Sequence, residues 1–274
     1  MSSSRPSPRK RFSQNFLQDN DIIEQIIQVI SPKMGEHFVE IGPGLGALTL
    51  KMLPHVGSLE AIELDRDLAS HLIKACEDLG KLRLHITDAL AFDFSTLTAQ
   101  PHSLRIFGNL PYQISTPLLF HCMTAIDSIY DMHFMLQKEV VERLAAVTRT
   151  KAYGRLSVML QYYCNVEPLF IVPNTAFYPQ PKVTSQMVSL KPKLKPIKAK
   201  DEAKFNQVVK QAFSYRRKML RNSLVGLADS QALKQIGIDA NSRAEELTVE
   251  DFIRISDFLV DHKGRIDIRA CSKS

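Results

Sequence analysis

Three groups of residues in this chain have the types and spacing for chemistry. The first is Glu40-Ile41-Gly42-Pro43-Gly44-Leu45-Gly46, where glycines recur at every second position after an apolar run beginning at His37. Glycine accepts positive φ and lets a ligand lie against bare backbone. The second is Glu63, which closes the run from Ser58 about 20 residues past the glycine turn, a distance at which a carboxylate takes both ribose hydroxyls of a nucleoside cofactor. The third is Asn109-Leu110-Pro111-Tyr112, an amide, a proline-fixed carbonyl and an aromatic face in a row. The glycine spacing matches neither the dinucleotide fingerprint nor the phosphate-binding P-loop. A nucleoside with a small charged tail therefore fits better than one with a pyrophosphate, and S-adenosylmethionine is such a molecule. An ordinary strand-to-helix turn carries the same glycines, and Glu63 weighs against that alternative.

With that donor, the third group suits transfer to an exocyclic adenine amine. That nitrogen is a poor nucleophile because its lone pair is conjugated with the ring. An Asn109 carbonyl and the Leu110 backbone carbonyl, each accepting one N–H bond, would steer the lone pair toward the methyl. Pro111 fixes the backbone there, and Tyr112 offers a stacking face of the kind used for bases taken out of a helix. No metal is required, and in-line approach and desolvation supply most of the acceleration. Asn-Pro pairs also favour plain turns, with the tyrosine capping the core.

The elements that position these groups alternate. Helical spacing follows Leu45, and strands are expected at His37–Ile41, Ser58–Asp65, Leu82–Thr87, Leu104–Gly108 and His133–Gln137, the last followed by a helix over Lys138–Val147. Such alternation implies an α/β fold with a doubly wound, mostly parallel sheet, whose ligands sit at the carboxyl ends of the strands. Gly42, Glu63, Asp88 and Asn109 all fall at such ends. Upstream, Phe12-Ser13-Gln14-Asn15-Phe16-Leu17 is either a hydrophobic plug or a lid whose Asn15 and Leu17 touch a ligand. Asp21 is expected to cap the helix bearing the Ile22, Ile23, Ile26, Ile27 and Ile30 stripe. Beyond Gly154 the stretch Ser157–Val172 reads as β-rich, Phe177–Val183 as a stiff proline loop, and Gln186–Leu190 as a strand closing the sheet in an antiparallel hairpin. The expected divisions are a basic arm over 1–11, a cofactor domain over 12–190, a Lys/Pro linker over 191–200, a helical domain over 201–262 and a tail over 263–274.

Charge is uneven. The net +6 conceals four basic residues and no acids in residues 1–11, a net of −5 over 12–190 and a net of +7 over 191–274. Basic ends flanking an acidic middle point to a polyanionic partner. Within Tyr215–Arg221 a helical reading places Arg217 and Arg221 one turn apart with Lys218 beside them, as a grip on phosphates. Cys76, Cys122, Cys164 and Cys271 form no C-x-x-C pair and read as reduced thiols of a cytoplasmic protein. The first 11 residues are no secretory signal, and no apolar run reaches membrane-spanning length.

In sequence the chain resembles the ribosomal RNA adenine dimethyltransferases of the KsgA/Dim family, from Arg9 to about Leu259. The likeness is carried by Arg9–Leu17, Glu40–Gly46, Ile62–Asp65, Gly108–Tyr112, Phe177–Val183 and Arg216-Arg217-Lys218. Gln113 stands where Asn is usual in the family, and Met219 where a small polar residue is common. The resemblance implies that Asn15, Leu17, Gly42, Gly44, Glu63, Asp88 and Asn109 contact S-adenosylmethionine, Asp88 at the adenine amine. It implies that Asn109, Leu110 and Tyr112 hold the target base, and that Phe177 stacks on its other face. Arg9, Lys10, Arg11, Arg216, Arg217, Lys218 and Arg221 are then RNA contacts. The implied reaction is dimethylation at N6 of two adjacent adenosines in the 3′-terminal hairpin of 16S rRNA, by a monomer acting on the 30S subunit or its precursor. Two alternatives share the plan: an erythromycin-resistance-type methylase of large-subunit rRNA, and a non-catalytic assembly factor.

Overall fold

The computed structural model describes residues 14–215 and 217–262. Arg9, Lys10, Arg11, Arg216 and the tail 263–274 lie outside the described residues. Two compact units are present: residues 1–141 with 165–192, and residues 142–164 with 193–274. Residues 142–164 thus group with the C-terminal segment, where the sequence suggested a single cofactor domain over 12–190.

In chain order the elements are β1 (Phe16–Leu17), α1 (Asn20–Ile30), β2 (His37–Ile41), α2 (Thr49–Val56), β3 (Ser58–Glu63), α3 (Arg66–Ala75), β4 (Lys81–Ile86), β5 (Leu104–Asn109), α4 (Ser115–Met123), β6 (Ile129–Gln137), α5 (Lys138–Leu144), α6 (Arg155–Tyr163), β7 (Cys164–Val172), β8 (Phe177–Tyr178), β9 (Ser185–Pro192), α7 (Glu202–Ser214), α8 (Leu220–Ser223), α9 (Ser230–Gln235) and α10 (Val249–Asp261).

The first unit is built on a seven-stranded sheet in the order β4-β3-β2-β5-β6-β9-β7. β2 to β6 pair in parallel, and β9 returns antiparallel to β6. Because the order reverses between β2 and β5, a crevice opens at their carboxyl ends, where ligands of such sheets bind. The core beneath it packs Ile23, Ile26, Ile27 and Ile30 of α1 against Phe38, Met52, Leu53 and Phe107. α1 is capped by Asp19, not Asp21: the Asp19 carboxylate accepts from the Asp21 and Ile22 amides at 3.0 and 3.2 Å. At the opposite end of β5 from Asn109, buried Arg105 donates to both Asp131 oxygens at 2.9 and 2.7 Å, to Glu36 and to the Ile30 carbonyl. Removing one partner of such a buried pair strands the other charge and costs roughly 3–5 kcal/mol. The strand that presents the site is anchored in this way at its far end.

Two expectations need correction. Ser157–Val172 is not a continuous β segment: α6 occupies Arg155–Tyr163 and β7 begins only at Cys164. Leu156, Val158, Met159, Leu160 and Tyr162 of α6 are all buried, and a helix buried nearly all round has no periodicity to separate it from a core strand. Nor does one helix carry Arg217 and Arg221. α7 stops at Ser214, Tyr215 leaves helical geometry, Met219 is extended and bridges Arg243, and α8 is a single turn. The Leu220 and Arg221 amides donate to Ser242 and Ala240 at 2.8 and 3.0 Å, bonds from outside the segment that override its helical propensity. Within this second unit Tyr162 stacks on Phe205 at 4.4 Å, Phe213 sits between Tyr153 and Phe252, and the Tyr153 hydroxyl donates to the Leu247 carbonyl at 2.8 Å.

Candidate active site

The crevice at the carboxyl ends of β2, β3, β4 and β5 is lined by Asn15, Leu17, Gly42, Gly44, Glu63, Asp88, Asn109, Leu110 and Tyr112. It thus unites every residue expected at the cofactor with three of the four expected at the target base.

The glycine turn takes the shape that its composition permits. Gly42, Gly44 and Gly46 have φ of 67, 59 and 84°, all in the left-handed region where a side chain would be strained. Gly108 serves another purpose. A Cβ there would collide with the Ile41 carbonyl, so only glycine lets the end of β5 run close to β2 and bring Asn109 beside the turn.

Glu63 is 7% exposed. Its Oε2 accepts the Gly44 amide at 3.1 Å and its Oε1 the Asp65 amide at 2.9 Å. Burial raises its pKa, and the amides of Asp65, Gly44 and Leu64 oppose that shift. The carboxylate is therefore rigid and aimed from the β3 end into the crevice. Asp88, after β4, is exposed and accepts the Leu90 amide at 2.9 Å.

The Asn109 loop is held at each residue. The Leu110 amide donates to the Met135 carbonyl at 3.2 Å, and Leu110 is buried. The Ile114 amide donates to Pro111 and the Ser115 hydroxyl to Tyr112, which starts α4. The Tyr112 hydroxyl shares a 2.8 Å hydrogen bond with buried Ser185 of β9. Burial raises the Tyr112 pKa, against the Ser185 bond, so the ring is neutral and fixed in orientation. The Asn109 amide nitrogen donates to the Asn15 carbonyl at 3.2 Å.

Phe177 does not line the crevice. It is 5% exposed, pairs with Leu17 in the two-stranded sheet of β1 and β8, and joins the apolar core with Val172, Met135 and Met187. The stacking role that the resemblance implies for it thus falls on a buried ring that belongs to the apolar core. Glu40, which sequence reasoning passed over as a strand residue, is part of the crevice wall. It is 2% exposed, accepts from the Thr49 hydroxyl at 2.5 Å, and its pKa is raised to about 8 by burial, with the Glu63 charge adding to the rise. The available signal was a glutamate between Val39 and Ile41 in a fully buried run. Of the basic residues, Arg217, Lys218 and Arg221 are exposed; Arg221 donates to Asn241 at 2.6 Å, and the Lys218 ammonium lies 4.5 Å from the Tyr215 ring centre.

A parallel sheet with this strand order, a turn of three left-handed glycines and a rigid carboxylate at the next strand end define a class: the Rossmann-like methyltransferases that use S-adenosylmethionine. The residues fit that cofactor, since the cradle is bare backbone and Glu63 is placed for a ribose. The ribosomal RNA adenine dimethylase family matches residues 6–261. Ribosomal RNA small subunit methyltransferase A of Nitrosococcus oceani is 53% identical over 251 residues, covering 90% of this chain and 94% of that protein. Its Pseudomonas putida counterpart is 50% identical over 256 residues, covering 93% and 96%. Among solved structures, a dimethyladenosine transferase from Plasmodium falciparum superposes with a TM-score of 0.75 at 25% identity, covering 88% of this chain and 95% of that one. The 23S rRNA methyltransferase ErmE shares the fold, with a TM-score of 0.70 at 23% identity over 90% and 100%. The chain belongs to the ribosomal RNA adenine dimethylase family and is a S-adenosylmethionine-dependent methyltransferase.

Proposed function

We propose that this enzyme dimethylates N6 of two adjacent adenosines in the 3′-terminal hairpin of 16S rRNA. In this reading it acts as a cytoplasmic monomer on the 30S subunit or a late precursor. The observation that carries the reading is the meeting of Asn109, Leu110 and Tyr112 with Gly42, Gly44 and Glu63 in one crevice. The choice of 16S rRNA rests on the small-subunit enzymes to which the chain is about half identical over nine-tenths of its length.

Bound S-adenosylmethionine supplies an electrophilic methyl group on a sulfonium. Glu63 takes the ribose hydroxyls, Gly42 and Gly44 leave room for the tail, Asn15 and Leu17 close over it, and Asp88 receives the adenine amine. Tyr112, its hydroxyl pinned to Ser185, presents a fixed face to the target base. The Asn109 and Leu110 carbonyls accept the two N–H bonds of the target amine and free its lone pair. Their benefit grows as that nitrogen becomes tetrahedral, so it falls on the transition state. Arg217, Lys218 and Arg221, with Arg9, Lys10, Arg11 and Arg216, meet the RNA backbone.

Tritium transfer from labelled S-adenosylmethionine tests this reading. Label should enter small subunits that lack the modification and be recovered as N6,N6-dimethyladenosine. Large subunits, free RNA and DNA should stay nearly unlabelled. Preferential labelling of large subunits would move the enzyme to the erythromycin-resistance type, and no transfer to any of them would make it a non-catalytic factor.

A further inference from the structure

The side-chain amide of Asn109 has two ends of opposite character, and the fold tells them apart. Its nitrogen donates to the backbone carbonyl of Asn15 at 3.2 Å. A peptide carbonyl only accepts, so the nitrogen end must face Asn15 and the oxygen is turned away from it. The segment that supplies this carbonyl is tied down along its length. Gln14 Nε2 donates to Asp65 Oδ2 at 3.3 Å, Phe16 and Leu17 pair with Tyr178 and Phe177, and the Gln18 amide donates to the Ala176 carbonyl at 2.9 Å. Phe16 also lies against the glycine turn, its ring carbons 3.3 Å from where a Cβ on Gly44 would stand. The Asn15 carbonyl is thus held between the β3 end, the glycine turn and β8, all in the same compact unit.

We propose that Asn15 is a positioning residue for catalysis: its backbone carbonyl fixes the sense of the Asn109 amide, so that oxygen and not nitrogen meets the target amine. The proposal rests on the assignment of Asn109 as the acceptor for that amine. It gives the segment 14–18 a task beyond touching the cofactor. The terminal torsion of an asparagine is broad and roughly two-fold. Without a fixed acceptor behind it, the amide could present its own hydrogens to an amine that also carries hydrogens. The reversed sense would then compete with the productive one.

Asn109→Asp separates the donor function from the acceptor function. When protonated, the introduced acid can give its O–H to Asn15 and its carbonyl to the target. When ionised, it keeps two acceptors and loses the donor. The rate of methyl transfer to small subunits is measured for the variant relative to the unsubstituted chain from about pH 5 to pH 9. The relative kcat should be highest at the acid end and fall toward tenfold per pH unit above the pKa of the introduced carboxyl. If Asn109 served only as an acceptor, the carboxylate would be the stronger one, and a relative kcat that is flat or rises with pH overturns the proposal. The transfer is run at saturating S-adenosylmethionine, verified by calorimetry over the same range, so that any change in cofactor affinity from an ionised carboxyl near the sulfonium stays out of the relative kcat.

A second readout needs no turnover. In the full chain labelled with 15N-asparagine, the Asn109 side-chain signals are assigned by their loss in Asn109→Asp. Their hydrogens should exchange with solvent at least about tenfold more slowly than those of surface asparagines, and exchange at the surface rate refutes the contact. If the unsubstituted chain methylated no RNA, the functional reading would fail by itself, while the exchange rate would still decide whether Asn15 holds Asn109.

Discussion

Replacing Phe177 distinguishes a ring that packs from a ring that stacks. The resemblance assigns Phe177 to the face of the target base, yet the residue is 5% exposed, its backbone pairs with that of Leu17, and it belongs to the core cluster. Truncating a buried phenylalanine to alanine costs roughly 3–5 kcal/mol. For a protein of this size each kcal/mol lowers the melting temperature by about 2–4 °C, so Phe177→Ala should melt about 6–20 °C lower. A stacking platform outside the core would cost nothing in melting temperature and about 1–3 kcal/mol in handling the base. Phe177→Leu sharpens the contrast because it keeps most of the volume and has no π face. Packing predicts a Phe177→Leu variant that melts within a few degrees of the unsubstituted chain, about 1 kcal/mol, and transfers methyl groups at a similar rate when assayed well below the melt. The assay pairs thermal denaturation with tritium transfer on the same preparations. An unchanged melting temperature for Phe177→Ala, or a collapsed rate with a normal melt for Phe177→Leu, would refute this reasoning and restore the stacking role.

Glu63→Ala should abolish detectable S-adenosylmethionine binding with the fold intact, since two hydrogen bonds to a charged group are worth roughly 1.5–3 kcal/mol each; unchanged affinity by calorimetry would remove the ribose assignment. Glu40 titrates near pH 8 in the folded chain, above its ordinary value of 4.5, so its contribution to stability is whole below about pH 4.5 and is lost as pH rises toward and through 8. Glu40→Gln has no such loss, and its unfolding free energy should gain on that of the unsubstituted chain as pH rises from 5 to 9, by an amount on the order of a few kcal/mol read from denaturant melts; a constant difference would mean that Glu40 is ionised throughout. Changing Arg217 and Arg221 together to alanine should weaken small-subunit binding and lower its salt slope by about one unit per lost phosphate contact, with cofactor affinity unchanged. Wild-type affinity and slope would take these two residues off the RNA surface.

The sheet was legible because each of its strands up to β6 ends at a turn or a polar residue that local chemistry explains. β2 stops where Gly42 needs positive φ, β3 at the acids Glu63 and Asp65, and β5 at Asn109 before Pro111. Parallel pairing then followed from the alternation with helices. α6 was hidden for the opposite reason: with most side chains buried, nothing in its pattern distinguished a helix from a strand. The basic stretch after α7 misled because Arg217 to Arg221 has helical propensity, whereas the bonds that shape it come from Ala240, Ser242 and Arg243. No window centred on residue 219 contains those partners.

The same distinction divides the site. Gly42, Glu63 and Asn109 could be placed together because one topological rule brings all strand ends to one edge. What positions them could not be read, because it depends on contacts that obey no periodicity. β1 and β8 are two residues each, too short to signal a strand, and each is ordered by the other across most of the first unit. Phe12–Leu17 was therefore ambiguous between plug and lid; in the described part Leu17 belongs to the core and Gln14 to Leu17 line the crevice. Leu17 is core toward Phe177 and crevice wall on its other side. Asn15 shares the crevice wall and restrains Asn109 through its backbone, an atom that every residue type carries. A contact made by a main-chain carbonyl does not depend on the side-chain type at that position, so the composition of the segment is silent on it.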